Sequence, residues 1–115
     1  MVLVDTSVWV EHLQRGNNKL AGLLQRGQVL SHPFVRGELA LGSLRQRATV
    51  LGALQNLPQA SVASADEVLG FIGVNALHGL GIGYVDVHLL TSVRLTPGCE
   101  LWTLDKRLAA AALRL

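Results

Sequence analysis

The chain has 115 residues, ten Lys and Arg against eight Asp and Glu, and a single cysteine, Cys99. That length predicts one domain over residues 1–115, and a half-hydrophobic composition with 16% charge and 4% aromatics predicts a compact core of Leu, Val and Ala. One cysteine excludes an intrachain disulfide and a zinc-finger framework, and it points to a reducing, cytoplasmic setting.

The start, Met1-Val2-Leu3-Val4-Asp5, lacks a basic leader and meets an acid at once, so no secretory signal is expected. Met1 to Val4 reads as a short buried strand. A helix follows from Thr6 to about Gln14, is broken by Gly16-Asn17-Asn18, and is succeeded by another from Lys19 to Arg26. Gln28 to Leu30 is a second strand. Pro33 opens a helix reaching Arg45, and a further helix covers Arg47 to Asn56. Ser61-Val62-Ala63 is expected as a third short strand. Ser64 and Glu67 have capping-box spacing and start a helix to His78. The 18-residue uncharged run from Val68 to Val85 holds five glycines, Asn75 and His78, so it reads as a helix plus a loop, with no membrane span. Helix Tyr84–Leu95, strand Glu100–Thr103 and a last helix from Asp105 complete the chain.

Strands alternating with helices predict an α/β fold with three α/β/α layers around a short, mostly parallel sheet. In such sheets ligands bind beyond the carboxyl ends of the strands. Asp5 and Asp105 each follow a strand and precede a helix. Each suits a helix N-cap as well as a site, and one carboxylate can do both. Glu38 has Phe34, Val35, Leu41 and Gly42 as its helical neighbours, which predicts an acid on an apolar face. The plain alternative is an acid that reaches solvent or pairs with Arg36 or Arg45. Asp86 heads the stripe Leu89, Leu90, Val93 within the first turn of its helix, where the dipole favours an anion.

Four carboxylates at one sheet edge repel one another and call for a hard divalent cation, Mg²⁺ or Mn²⁺. Such a site is suited to phosphodiester hydrolysis. Setting these four acids aside leaves four against ten Lys and Arg, a balance of +6 for the rest of the surface, which suits a polyanionic substrate.

Four stretches then carry a family resemblance: Leu3-Val4-Asp5-Thr6-Ser7-Val8-Trp9, Pro33-Phe34-Val35-Arg36-Gly37-Glu38-Leu39, Gly83-Tyr84-Val85-Asp86-Val87-His88-Leu89-Leu90 and Leu101-Trp102-Thr103-Leu104-Asp105-Lys106-Arg107-Leu108. In order and spacing the chain resembles PIN-domain proteins over its whole length, and most closely the VapC-type toxins of bacterial toxin–antitoxin pairs. The resemblance implies a five-stranded parallel sheet, a Mg²⁺- or Mn²⁺-dependent endoribonuclease acting on RNA, a homodimer and inhibition by a cognate antitoxin. It implies Asp5 and Asp86 as principal metal ligands, with Glu38 completing the cluster directly or through water and Asp105 as its fourth member. Thr6 and Ser7 would hydrogen-bond a ligand or orient Asp5. Lys106 and Arg107 are candidate phosphate contacts, as are Arg15, Arg26, Arg36, Arg45 and Arg47.

Three other functions fit the sequence less well. A haloacid-dehalogenase-type phosphatase wants a second acid two positions after the first, where this chain has Ser7. A phosphoacceptor receiver domain lacks its late lysine. A non-catalytic RNA-binding or protein-docking module would leave four acids idle at a standing cost to stability. His12, His32, His78 and His88 lack the paired spacing of a zinc site and are expected to be structural. Trp9 and Trp102 are expected as core or interface anchors.

Overall fold

The computed structural model describes residues 1–115. The elements in chain order are β1 (Val2–Val4), α1 (Thr6–Arg15), α2 (Asn18–Gln25), β2 (Val29–Leu30), α3 (Pro33–Leu41), α4 (Arg47–Asn56), α5 (Ala65–Asn75), α6 (Tyr84–Leu95), β3 (Glu100–Trp102) and α7 (Lys106–Leu113). The sheet has three strands in the order β2-β1-β3. Both pairings are parallel, with Leu3 opposite Leu30 on one side and Leu101 on the other. All three strands therefore end at the same edge, and Asp5 N–H extends the ladder to the Trp102 carbonyl at 2.9 Å.

The sheet is smaller than the five strands expected, and Ser61–Ala63 forms no strand. The chain pairs two residues earlier instead, as an isolated parallel bridge between Ser31 and Gln59. Ser61 then gives its N–H to Thr96 Oγ1, which ends the ladder, and Ala63 turns its methyl into the core. β2 stops after two residues because His32 leaves the strand to cap α3, its Nδ1 accepting from Phe34 N–H at 3.0 Å.

Two helices end earlier than expected. α3 stops at Leu41 where Gly42 turns extended, and the guanidinium of Arg47 takes the Ala40 carbonyl at 2.9 Å. α5 stops at Asn75 because Ala76 adopts the left-handed region at φ 51°. Leu77 N–H reaches back to the Ile72 carbonyl, the paired closure of a Schellman motif, and Leu77 itself is buried. The start of α5 is capped as read from sequence: Ser64 and Glu67 form its reciprocal capping box.

Burial of apolar side chains holds these elements together in two clusters. The larger joins Leu3, Val4, Val29 and Leu30 of the sheet to Val8, Trp9, Leu20, Val35, Leu39, Leu54 and Leu89. The smaller joins Val68, Val87, Leu90, Leu108 and Ala111. α6 packs against both, through Leu89 on one side and Val87 and Leu90 on the other. A fully buried Leu of this kind contributes about 2 kcal/mol by removal from water. α6 is thereby fixed as the central helix, and its amino end is held against the carboxyl edge of the sheet. No helix is long and apolar enough to cross a membrane.

Candidate active site

Asp5 occupies the N-cap position of α1, yet its side chain caps nothing. It is 5% exposed, and its Oδ2 accepts two hydroxyl protons, from Ser7 at 2.8 Å and from Thr103 at 2.7 Å. Each hydroxyl also accepts a backbone N–H from the turn after β3. Ser7 Oγ takes Leu104 N–H and Thr103 Oγ1 takes Asp105 N–H, both at 3.0 Å. A hydroxyl has one proton to donate, and both protons go to the same carboxylate oxygen. The ends of β1 and β3 are thus tied together through Asp5. The helix-cap explanation of this acid is set aside by that geometry.

Asp105 does cap. Its Oδ1 accepts the N–H groups of Arg107 at 2.9 Å and Leu108 at 3.1 Å, starting α7. Asp86 lies in the first turn of α6, where its Oδ2 accepts Gly83 N–H at 2.9 Å. Its carboxyl is pushed above the usual carboxylate range, chiefly by burial, with the charges of Asp5 and Asp105 adding to the effect and the Gly83 bond opposing it. Asp5 and Asp105 are thus near enough for their charges to act on Asp86.

Glu38 differs from expectation. Its face of α3 is open rather than apolar and covered: Glu38 is exposed and Leu41 is 89% exposed, while Val35 and Leu39 point into the core. The acid still reaches the site, because Thr6 donates its hydroxyl to Glu38 Oε1 at 2.6 Å, next to Asp5 in the chain.

Each of the four acids therefore uses one carboxylate oxygen in a bond to the protein, and none of those bonds involves Asp5 Oδ1, Glu38 Oε2, Asp86 Oδ1 or Asp105 Oδ2. No three His, Cys, Asp or Glu side chains converge closely enough to hold a metal ion as they stand. The donor set fits an ion that takes few protein ligands and completes its shell with water. Mg²⁺ behaves in this way, bound through one or two carboxylates with several waters retained.

Around the acids, Arg107 lies across the loop that leads to Asp86. A Cβ on Gly81 would stand 2.8 Å from Arg107 Nη1 and 3.3 Å from its Cδ, and Gly81 also has φ +76°. Gly81 is therefore required for its backbone, while a side chain there would push the Arg107 guanidinium aside. Arg36 and Arg47, also candidate phosphate contacts, bind Gln59 and the Ala40 carbonyl within the protein. Away from the acids, His32 is fully buried, bonds Ser92 Oγ at 3.1 Å, and is pushed down to about 4 by burial, then by His88 and Arg36. His88 is buried with Nδ1 unpartnered. Trp9 is buried, and Trp102 stacks under Lys19 at 4.7 Å.

Sequence reasoning missed Thr103. The signal was present: a hydroxyl residue ending the strand two positions before Asp105, as Ser7 stands two positions after Asp5. Only the parallel register of β1 with β3 turns both hydroxyls toward one carboxylate. A groove of about 470 Å³ runs beside Glu38, lined by Val10, Leu13, Leu39, Leu44 and Val50, with Arg45 at its rim.

The comparisons with known proteins bear on the family. A family model described as PIN domain matches residues 2–113. Ribonuclease VapC32 of Mycobacterium tuberculosis, from strains CDC 1551 / Oshkosh and ATCC 25618 / H37Rv, is 52% identical over 111 residues, covering 96% of this chain and 90% of the relative. A parallel sheet with acids beyond its carboxyl edge, and a match over nearly every residue, lead to one conclusion: the chain belongs to the PIN-domain family.

Proposed function

We propose that this chain is a metal-dependent endoribonuclease, the toxin of a type II toxin–antitoxin pair, working in the cytoplasm as a homodimer. The observation that carries this is the quartet at the carboxyl edge: four acids, each bonded to the protein through one oxygen with the other uncommitted. The likeness to Ribonuclease VapC32 supports RNA as substrate and an antitoxin as partner.

Asp5 and Asp86 would be the principal holders of Mg²⁺ or Mn²⁺, with Glu38 and Asp105 completing the acidic cluster around it. The bound ion supplies Lewis acidity and charge neutralisation at a phosphodiester. The protein's own groups set the geometry. Ser7 and Thr103 prevent Asp5 from rotating, and Gly83 N–H does the same for Asp86. Thr6 and Ser7 act on Glu38 and Asp5 rather than on RNA, since each hydroxyl proton is engaged there. Arg107, held over Gly81, and neighbouring Lys106 meet the phosphates. The apolar groove beside Glu38 suits a segment of the antitoxin. Exposed Leu69 and Val74 on α5 suit the second protomer.

The test is RNA cleavage by purified protein with Mg²⁺, with Mn²⁺ and with a chelator. Cleavage is expected to require the metal and to vanish in Asp5→Asn and Asp86→Asn. Undiminished cleavage by correctly folded Asp86→Asn would remove this site from the chemistry. Calorimetric titration with Mn²⁺ separates the enzyme from a non-catalytic docking module, which would take up no metal at millimolar concentration.

A further inference from the structure

The chain has five Phe, Tyr and Trp residues. Three are accounted for inside the fold. Trp9 is core, Trp102 lies under Lys19, and Phe71 meets Arg94 at 5.6 Å. The other two, Phe34 and Tyr84, are 36% and 50% exposed. Both stand at the acidic rim. Phe34 precedes Glu38 by one turn of α3, so the two side chains share a helix face. Tyr84 opens α6 directly after Gly83, whose N–H is bonded to Asp86 Oδ2.

The two rings come from different helices and converge on one imidazole. His88 is buried, with Phe34 at 4.5 Å and Tyr84 at 4.7 Å between ring centroids, the latter nearly perpendicular. His32 braces the group from beneath, 5.3 Å from Phe34 and 6.5 Å from His88. A rigid aromatic group that keeps part of each outer ring in solvent is poorly explained by core packing, which would cover both. It is the arrangement that single-stranded nucleic acids use, because every base has a flat face to stack.

We infer that Phe34 and Tyr84, supported by His88, form a shelf on which a base of single-stranded RNA stacks beside the phosphate delivered to the acids. The inference rests on the ribonuclease reading and adds how the substrate is recognised. The occupant is a base because the shelf adjoins the acidic site: Phe34 shares a face of α3 with Glu38, and Tyr84 follows Gly83, whose N–H holds the Asp86 carboxylate. The shelf selects unpaired RNA, since a base within a duplex has no free face to offer.

The experiment measures binding of a short fluorescent single-stranded RNA, and of the same RNA with abasic positions, to full-length protein carrying Asp5→Asn to prevent cleavage. Tyr84→Ala and Phe34→Ala are each expected to weaken binding to intact RNA by roughly 5- to 100-fold, the range for loss of one stacked base. Tyr84→Phe and Phe34→Tyr should bind as the parent does. The abasic RNA should bind weakly and respond little to either alanine. In the cleaving protein, Tyr84→Ala should raise KM far more than it lowers kcat. Circular dichroism checks folding, with Phe34→Leu as a second variant if Phe34→Ala fails to fold. Equal RNA affinity in folded Tyr84→Ala and Phe34→Leu overturns the shelf and leaves the nuclease standing. A change of oligomeric state in Tyr84→Ala with RNA affinity intact overturns it too, in favour of a protein interface. Failure of the parent to bind RNA, together with absence of cleavage by the unsubstituted chain, overturns both readings.

Discussion

Replacing Thr103 by Val keeps the branched shape and removes one hydroxyl. Two hydrogen bonds go with it: the 2.7 Å donation to the Asp5 carboxylate and the 3.0 Å acceptance from Asp105 N–H. A bond to a charged group contributes about 1.5–3 kcal/mol and a neutral one about 1 kcal/mol. Thr103 is half-buried and the Asp105 N–H is near the surface, so water recovers part of this. The expected loss is about 1.5–3 kcal/mol. Urea denaturation in the presence of chelator should show the midpoint falling by about 1 M with the slope unchanged, at a slope of about 2 kcal/mol/M. Thr103 touches Asp5 and not the substrate, so it is a positioning residue. Its removal should lower apparent metal affinity roughly 10- to 100-fold. Thr103→Ser, which retains the hydroxyl, should recover most of both. Ser7→Ala should behave alike, and the double variant should lose more than the sum, because one hydroxyl still satisfies Asp5 Oδ2 while none leaves it unpaired. A Thr103→Val protein within about 0.5 kcal/mol of the parent, with unaltered metal dependence, would refute the view that this hydroxyl positions Asp5.

Asp86 has its carboxyl raised by burial and by Asp5 and Asp105, so the folded state binds its proton more tightly than the unfolded state does. That contribution is fully present below the unfolded value and disappears as pH rises through the raised folded value. Asp86→Asn should therefore abolish cleavage while raising the thermal midpoint of the metal-free protein at neutral pH. His32 has the opposite sign: held neutral and pushed down to about 4, it contributes stability above its unfolded value of 6.5 that is lost as pH falls from 6.5 toward 4. Denaturation followed across that window in an Asp86→Asn background should show the decline, and His32→Gln should flatten it. Gly81→Ala should displace the Arg107 guanidinium and strain a backbone at φ +76°, lowering RNA affinity more than secondary structure content; gel shift and circular dichroism measure the two. Mn²⁺ should raise the melting temperature of the parent protein and leave that of Asp5→Asn unmoved, since only a state that binds the ion is stabilised by it.

Local chemistry made much of this protein legible before any coordinates. Apolar runs bounded by turn residues marked β1 and β3, Pro33 opened α3, and Ser64 with Glu67 opened α5, because strand burial, helix starts and caps depend on residues within a few positions of one another. The same locality placed Asp5 and Asp105 just beyond strand ends and Asp86 in a first turn. Local chemistry also misled where a distant group decided the outcome. Ser61–Ala63 is β-like in composition, yet its first N–H is taken by Thr96, just past the end of α6, and α3 ends early where Arg47 reaches back to Ala40. Glu38 looked covered because spacing identifies a face without saying what lies against it. Thr103 passed unnoticed because its role exists only through the register of β1 against β3, which sets partners 98 positions apart at hydrogen-bond distance. The sequence by itself determined which residues carry charge, where helices begin and which side chains must leave water. Only the tertiary structure decided which carboxylate oxygens are already engaged and which rings stay exposed, since both depend on the direction of side chains brought together from remote parts of the chain.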